Sequence, residues 1–336
     1  MVNRMTAAMH EVSTLECYVC NRAIEPELVL KNVKDGWHIM RCPECDLTFA
    51  HPQPDSGTIT AYYNGLYSDL ASKYDEQKME AIRHSVRGYL LTLRRHKQIG
   101  PGTSFLDLGG GLRYYAKAFT ENGLSVTLVE QDPVSVEFAQ NVLKLEKVLK
   151  KSAEEFFREN HEKYDVIFLR HVIEHATNPS HVIQEIKKCL NDGGILIIET
   201  DNNAGVEILL RPGPAKFYLD LYRSSYAPAS YLSLMKRRPF AVDPPRHLFG
   251  FRTSNLTALL QKNSLVPVET KCYRLGHPIY WANLPLPTLR SMVDNARKLR
   301  IKAVAANIGL LPVRICLQYL GLASGICIYA VKDSSS

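Results

Sequence analysis

Residues 104–130 constrain this chain more than any other stretch. Ser104–Leu108 is a short, nearly continuous apolar run of the length expected for a buried strand. Gly109-Gly110-Gly111 follows at once, then a helix-patterned run, Tyr114–Glu121, and a second buried run, Ser125–Glu130. Pro133, just after Gln131-Asp132, suits the first turn of a further helix. A strand that passes through glycines into a helix and returns as a second strand begins a parallel α/β sheet. The chain is therefore predicted to be α/β.

The same stretch carries ligand-binding chemistry. Gly109 and Gly111 let backbone approach a ligand where a Cβ would clash. Glu130 closes the neighbouring strand, where a carboxylate can accept hydrogen bonds from both hydroxyls of a ribose. Nicotinamide dinucleotides and S-adenosylmethionine (SAM) both use such a site, and three details separate them. The dinucleotide pattern G-x-G-x-x-G needs glycine where Tyr114 stands. A pyrophosphate needs a free helix N-terminus, and Tyr114 and Tyr115 crowd this one. Asp107 lies two residues before the first glycine, placed to face an ammonium group, which SAM has and nicotinamide dinucleotides lack.

A second motif lies near the N-terminus. Cys17 and Cys20 form one C-x2-C pair, and Cys42 and Cys45 form another after a gap of twenty-one residues. Two such turns direct four sulfurs at one point and can complete a tetrahedral shell with Zn–S bonds of about 2.3 Å. Between them, β-like runs at Leu28–Leu30 and Trp37–Met40 flank Lys34-Asp35-Gly36, a hairpin turn signal. A small zinc ribbon is predicted, its zinc structural because four thiolates leave no open position. The other cysteines, Cys189, Cys272, Cys316 and Cys327, are scattered and read as ordinary buried thiols.

Taken together, these motifs resemble the class I SAM-dependent methyltransferases. Their first motif is roughly D-x-G-x-G-x-G; Asp107, Gly109 and Gly111 match, and Arg113 replaces the last glycine. Glu130 matches the ribose acid, and Ser152-Ala153-Glu154 resembles the segment beside the adenine. Tyr164–Leu169 resembles the fourth strand, and Asn191-Asp192-Gly193-Gly194 the turn before the fifth, Ile195–Thr200. His171-Val172-Ile173-Glu174-His175 resembles the H-x-L-E-H signature of a branch that modifies small molecules, glycans and quinone-like substrates. The ribbon, the Tyr-rich helix behind it and Pro244–Phe251 resemble zinc-ribbon methyltransferases of polysaccharide and antibiotic-sugar pathways. The resemblance covers Cys17 to Lys332, with Ala204–Val242 and Leu284–Ile315 poorly matched.

It implies a Rossmann-like, seven-stranded SAM methyltransferase sheet behind a small N-terminal zinc ribbon. The expected divisions are a ribbon over 1–56, a helical linker and cap over 57–100, and a methyltransferase domain over 101–336. That domain is expected to carry a lid insertion at about 204–250 and a variable helical insertion at about 284–318. The implied donor-binding residues are Asp107, Gly109, Gly110, Gly111, Glu130, Gln131, Ser152, Ala153, Glu154 and Arg170. The implied acceptor is a small molecule or glycan.

Three histidines are candidates for acceptor chemistry. His171 and His175 stand four apart after a strand, a spacing that can hold a metal, but the sequence shows no third ligand and a metal site is rejected. His247, between two prolines and two phenylalanines, can serve as general base, or can be a structural histidine in a Pro-rich loop. Arg246 beside it can hold an acidic group. The net charge of +7 and the basic stretches Arg211–Phe240 and Arg290–Lys302 read first as solvated faces. They leave open a contact with anionic lipid or a lipid-linked glycan at a membrane periphery. An RNA methyltransferase is an alternative, against which the ribbon is not notably basic. A non-catalytic scaffold is another, motivated by Arg113. Residues 1–16 lack the apolar run of a signal peptide, so a cytoplasmic location is expected. Ala303–Val331 is long and apolar enough for a membrane span, but Pro312, Gly321 and Gly325 divide it, and core is expected instead.

Overall fold

A computed structural model describes residues 14–34, 36–63, 74–111, 113–225, 230–273 and 309–333. The N-terminal unit opens with β1 (Leu15–Glu16) and β2 (Ala23–Ile24), which pair with each other. The predicted hairpin forms as β3 (Glu27–Lys34) and β4 (Trp37–Arg41), with Gly36 at φ +89° in the turn, and β5 (Thr48–His51) joins β4. Helices α1 (Ser56–Tyr63) and α2 (Glu76–His96) follow. Asp75 caps α2, and one face of α2 buries Met79, Ile82, Val86, Tyr89, Leu90 and Leu93.

The α/β pattern then runs as expected: β6 (Ser104–Leu108), α3 (Tyr114–Glu121), β7 (Ser125–Glu130) and α4 (Pro133–Asn141). Asp132 caps α4, and Pro133 occupies its first turn. Next come β8 (Lys147–Lys150), α5 (Ala153–Glu159), β9 (Tyr164–Arg170), α6 (Pro179–Cys189) and β10 (Leu190–Asp201). The chain continues through α7 (Pro212–Ser225), α8 (Tyr231–Arg237), β11 (Phe249–Gly250), α9 (Thr253–Lys262), β12 (Leu265–Tyr273), α10 (Leu311–Tyr319) and β13 (Gly325–Lys332).

Seven strands form one mixed sheet in the order β12-β13-β10-β9-β6-β7-β8. Strands β6 to β10 are parallel, and β13 runs antiparallel between β10 and β12. The chain leaves β6 outward through β7 and β8, then returns to β9 on the other side of β6. That reversal opens a crevice at the carboxyl ends of β6 and β9. The strands are near-continuous apolar runs because both faces are covered. One core lies under α6 and α9, and the other under α2 and α3.

The ribbon is not a detached module. Val19, Ile24, Met40, Leu47 and Phe49 share one core with Ile183, Leu256, Leu260, Phe249 and Phe251 of the large domain. Strand β11 adds to the ribbon's sheet by pairing with β5, through Phe249↔Phe49 and Gly250↔Thr48. The segment around His247 is therefore tied down as a wall.

Two expectations change. Of the four scattered thiols, Cys189 and Cys327 are buried, but Cys272 is only partly buried and Cys316 is exposed. Of the apolar run at 303–331, residues 303–308 lie outside the described residues, and only β13 of the rest is core. Strand β13 is almost wholly buried, whereas α10 buries none of its residues and Tyr319 is 83% exposed. The sheet needs β13 as a central strand, while α10 only lies across its edge. Among the described residues no helix is long and apolar enough to cross a membrane. The basic run Arg290–Lys302 lies outside the described residues.

Candidate active site

The glycine loop forms the floor of the crevice. Gly109 takes φ +73°, and a Cβ there would meet a Val172 methyl at 2.7 Å. At Gly110 a Cβ would meet Leu128 at 2.1 Å, and Gly111 takes φ +38°. Arg113, in the place of the motif's last glycine, also adopts a left-handed conformation, φ +43°. Its Nε donates to the Gly111 carbonyl at 3.0 Å, and its guanidinium lies 5.0 Å from the Phe138 ring centroid. The loop thus keeps the backbone that a glycine would favour, and side-chain contacts offset the cost. Tyr114 and Tyr115 are both buried, Tyr114 accepting from the Asp75 N–H at 3.0 Å.

Two carboxylates face this loop. Glu130 accepts the Gly111 and Asp132 backbone N–H groups, one on each oxygen, both at 2.9 Å. Each oxygen keeps a lone pair for a ligand hydroxyl. Burial raises its pKa, partly offset by those N–H donors. Asp107 is 2% exposed, and its Oδ2 is buried without a hydrogen-bond partner. Burial, aided by the nearby Glu130, pushes it up to about 7. A buried carboxylate oxygen with no partner is costly, and a cationic ligand would satisfy it. The loop and its acids therefore fit the aminoacyl and ribose ends of SAM.

The residues expected beside the adenine lie at the ends of β7 and β8. Gln131 follows Glu130 directly, and Ser152 caps α5 through a reciprocal box with Glu155, which fixes Ala153 and Glu154 in the first turn. Arg170 ends β9, its guanidinium 4.7 Å from the Tyr115 ring centroid and its Nε 3.4 Å from Glu199 Oε1. Glu199 is 1% exposed and also accepts from the hydroxyls of Tyr89 and Tyr273.

The three histidines converge next to the loop, where Val172 touches Gly109. His171 adopts φ +50°, an uncommon conformation for a non-glycine residue. Its Nδ1 lies 3.0 Å from Glu174 Oε1 and 3.3 Å from Asp201 Oδ1. Burial lowers its pKa, but Asp201 and Glu174 outweigh that and raise it to about 10. Glu174 is fully buried. Burial pushes its carboxyl up, and the partner His171 outweighs this, holding it well below the usual range. His175 Nδ1 donates to the Arg246 carbonyl at 2.7 Å. The His247 ring lies tilted against the His175 ring, centroids 4.8 Å apart, with Nδ1 3.8 Å from Asp201 Oδ2. Burial pulls its pKa down to about 4, so it is neutral.

The sequence reading missed Glu174 and Asp201. Glu174 lay inside the H-x-L-E-H signature, and Asp201 ends the strand that was read as stopping at Thr200. His171 and His175 do not share a set of possible metal ligands; each stands in a separate group with Glu174. Ligand atoms of Glu174, His175 and His247 lie within 4.8 Å of one another, as do those of His171, Glu174 and Asp201. Chain folding brings in the further donors Asp201 and His247 from the end of β10 and from the wall before β11, which no local spacing displays. Arg246 pairs with Asp243 at 3.7 Å, its side chain 42% exposed.

The four ribbon cysteines also meet. Cys17 Sγ lies 3.6 Å from Cys45 Sγ, and Cys20 Sγ 3.8 Å from Cys42 Sγ. A tetrahedron of about 2.3 Å bonds has edges of about 3.8 Å, so the set fits a zinc ion. A hydrogen bond from Cys45 lowers Cys17 to about 5 against the effect of burial, and burial raises Cys42 to about 11.

The fold and the glycine-loop site define a class I SAM-dependent methyltransferase. A family model described as a methyltransferase domain matches residues 74–270, more than half of the sequence, and the chain belongs to that family. Among solved structures it is similar to magnesium protoporphyrin IX methyltransferase from Synechocystis PCC 6803 with bound S-adenosylhomocysteine. Identity there is 13%, coverage 82% of this chain and 96% of that one, and the TM-score 0.44. It is also similar to the N-methyltransferase NodS from Bradyrhizobium japonicum WM9, at 12% identity, 82% and 98% coverage and TM-score 0.45. A third is 1,6-didemethyltoxoflavin-N1-methyltransferase from Burkholderia thailandensis, at 14% identity, 93% and 100% coverage and TM-score 0.44. Comparison with curated proteins finds no match.

Proposed function

We propose that this methyltransferase acts on a small-molecule acceptor, a sugar, glycan-related group or secondary metabolite, and that its N-terminal cysteines hold a structural zinc. The observation that carries the acceptor reading is the cluster of His171, Glu174, His175, Asp201 and His247 beside the glycine loop. It is a compact, largely buried polar cluster at the crevice, suited to a small polar group and to moving one proton.

SAM, when bound, supplies an electrophilic methyl group on a sulfonium. Asp107 receives the ammonium end, and Glu130 takes the ribose hydroxyls. Gln131, Ser152, Ala153 and Glu154 flank the adenine end. Arg170, pinned between Glu199 and the Tyr115 ring, faces the donor side of the crevice. The histidines have different duties. His171, held protonated between two carboxylates, orients the pocket and can donate a hydrogen bond, but cannot take up a proton near neutral pH. His247 is neutral and offers a lone pair, either to the acceptor's proton or to a cation, with Asp201 Oδ2 3.8 Å from its Nδ1. Cys42 and Cys45, just before β5, would hold the zinc, which would fix the turn from which β5 starts; β5 pairs with β11 and ties down the His247 wall.

Calorimetry tests the donor half: the wild-type chain binds SAM, and Glu130→Ala weakens that binding. Transfer of labelled methyl to a panel of sugar nucleotides, glycans and phenolic metabolites tests the acceptor half. Absence of SAM binding at high ligand concentration would sink the reading.

A further inference from the structure

We infer that Glu174, His175 and His247 form a second metal site, separate from the cysteine cluster, that takes a first-row divalent cation in the acceptor pocket. Two imidazoles and one carboxylate, with ligand atoms within 4.8 Å of one another, are the donor set of a facial triad with open positions. Metal bonds of about 2 Å place adjacent donors about 3 Å apart, within reach of small side-chain rotations.

Two further features point to a cation. Glu174 is fully buried, and while Oε1 engages His171, Oε2 has no hydrogen-bond partner among the described residues. An orphaned, fully buried carboxylate oxygen is expensive unless a cation meets it. The tautomer of His175 is also set. Its Nδ1 faces a backbone carbonyl at 2.7 Å, and a carbonyl can only accept, so Nδ1 carries the hydrogen and Nε2 the lone pair. A backbone carbonyl on the far nitrogen is the usual outer partner of a metal-bound histidine. Asp201 Oδ2 lies 3.8 Å from Nδ1 of His247, near enough to reach it after a small shift.

Nitrogen-rich ligation favours ions such as Mn²⁺, Fe²⁺, Co²⁺ or Zn²⁺ over Mg²⁺ or Ca²⁺. The open positions of such an ion take oxygen ligands, so the acceptor class narrows to a molecule that presents a hydroxyl or a pair of neighbouring oxygens. This narrowing rests on the small-molecule reading above, whereas the cation site stands on the protein's own side chains.

The test is Co²⁺ titration of the full-length chain after metal removal, followed by optical spectroscopy. Ribbon cysteines give an intense thiolate-to-cobalt band. The second site gives one further equivalent with only weak d–d absorption. That equivalent is lost in His247→Ala and in Glu174→Gln, and Asp201→Asn weakens it about tenfold or more, while the thiolate band persists in all three. The persisting band also reports that each variant is folded at the ribbon. No non-thiolate equivalent in the wild-type chain, or one unchanged in both His247→Ala and Glu174→Gln, overturns the site. SAM calorimetry on the same samples separates this failure from failure of the methyltransferase reading.

Discussion

Replacing Asp107 by asparagine should make the ligand-free protein more stable and a poorer SAM binder. The buried carboxyl is pushed from an ordinary 3.8 up to about 7, first by burial and then by Glu130. An acid whose folded pKa is raised weakens the fold wherever both states are ionised. The penalty is full above pH 7, shrinks as pH falls, and vanishes below the unfolded value near 3.8. At 1.36 kcal/mol per tenfold, it amounts to about 4 kcal/mol at pH 8 and about 2 kcal/mol at pH 5. The introduced side chain would bring its own cost, a buried amide in imperfect surroundings, but that cost does not change with pH. The stability difference between Asp107→Asn and wild type should therefore favour the variant by about 2–3 kcal/mol more at pH 8 than at pH 5. Urea unfolding of both proteins at the two pH values, without SAM, measures it. In calorimetry, wild-type affinity for SAM should fall as pH drops through 7, because the ammonium loses its charged partner, and the variant should lose that dependence. A stability difference equal at both pH values would refute the reasoning.

Three other perturbations follow. Glu130→Gln removes the charge and leaves one oxygen for the Gly111 and Asp132 N–H groups, so SAM affinity should drop about tenfold to a hundredfold in calorimetry. Cys42→Ser should abolish thiolate-bound metal and lower the thermal midpoint of the whole chain, because Cys17 and Cys42 sit in the core shared with α9. An unchanged midpoint in the metal-free variant would show that the ribbon is a passive appendage. Tyr273→Phe takes one hydroxyl from buried Glu199 and should cost about 1–3 kcal/mol in urea unfolding, with Arg170 less firmly placed.

Much of the sheet was legible because strand and helix signals are local. Ser104–Leu108, Ser125–Glu130, Tyr114–Glu121 and the turn before β4 all fall where apolar period, glycine and proline put them. The cysteine spacing was equally legible, since C-x2-C is itself the geometry of the turn. Where local chemistry was ambiguous the reading slipped. Pro312, Gly321 and Gly325 divide the apolar stretch Ala303–Val331, but only the sheet order set β13 between two strands and left α10 half-exposed on the surface.

The sequence by itself determined the glycine loop, the acids Asp107 and Glu130, and the cysteine cluster, because each lies within one strand–turn unit or one pair of turns. Tertiary structure alone decided the acceptor pocket. Asp201 reaches His171 because β10 lies parallel to β9, in register through Glu199↔Arg170. His247 reaches His175 because β11 is stitched to β5 of the ribbon and the Leu248 N–H donates to the Glu174 carbonyl at 2.8 Å. Those meetings depend on strand order and on packing between units far apart in the chain, which a local residue pattern does not encode.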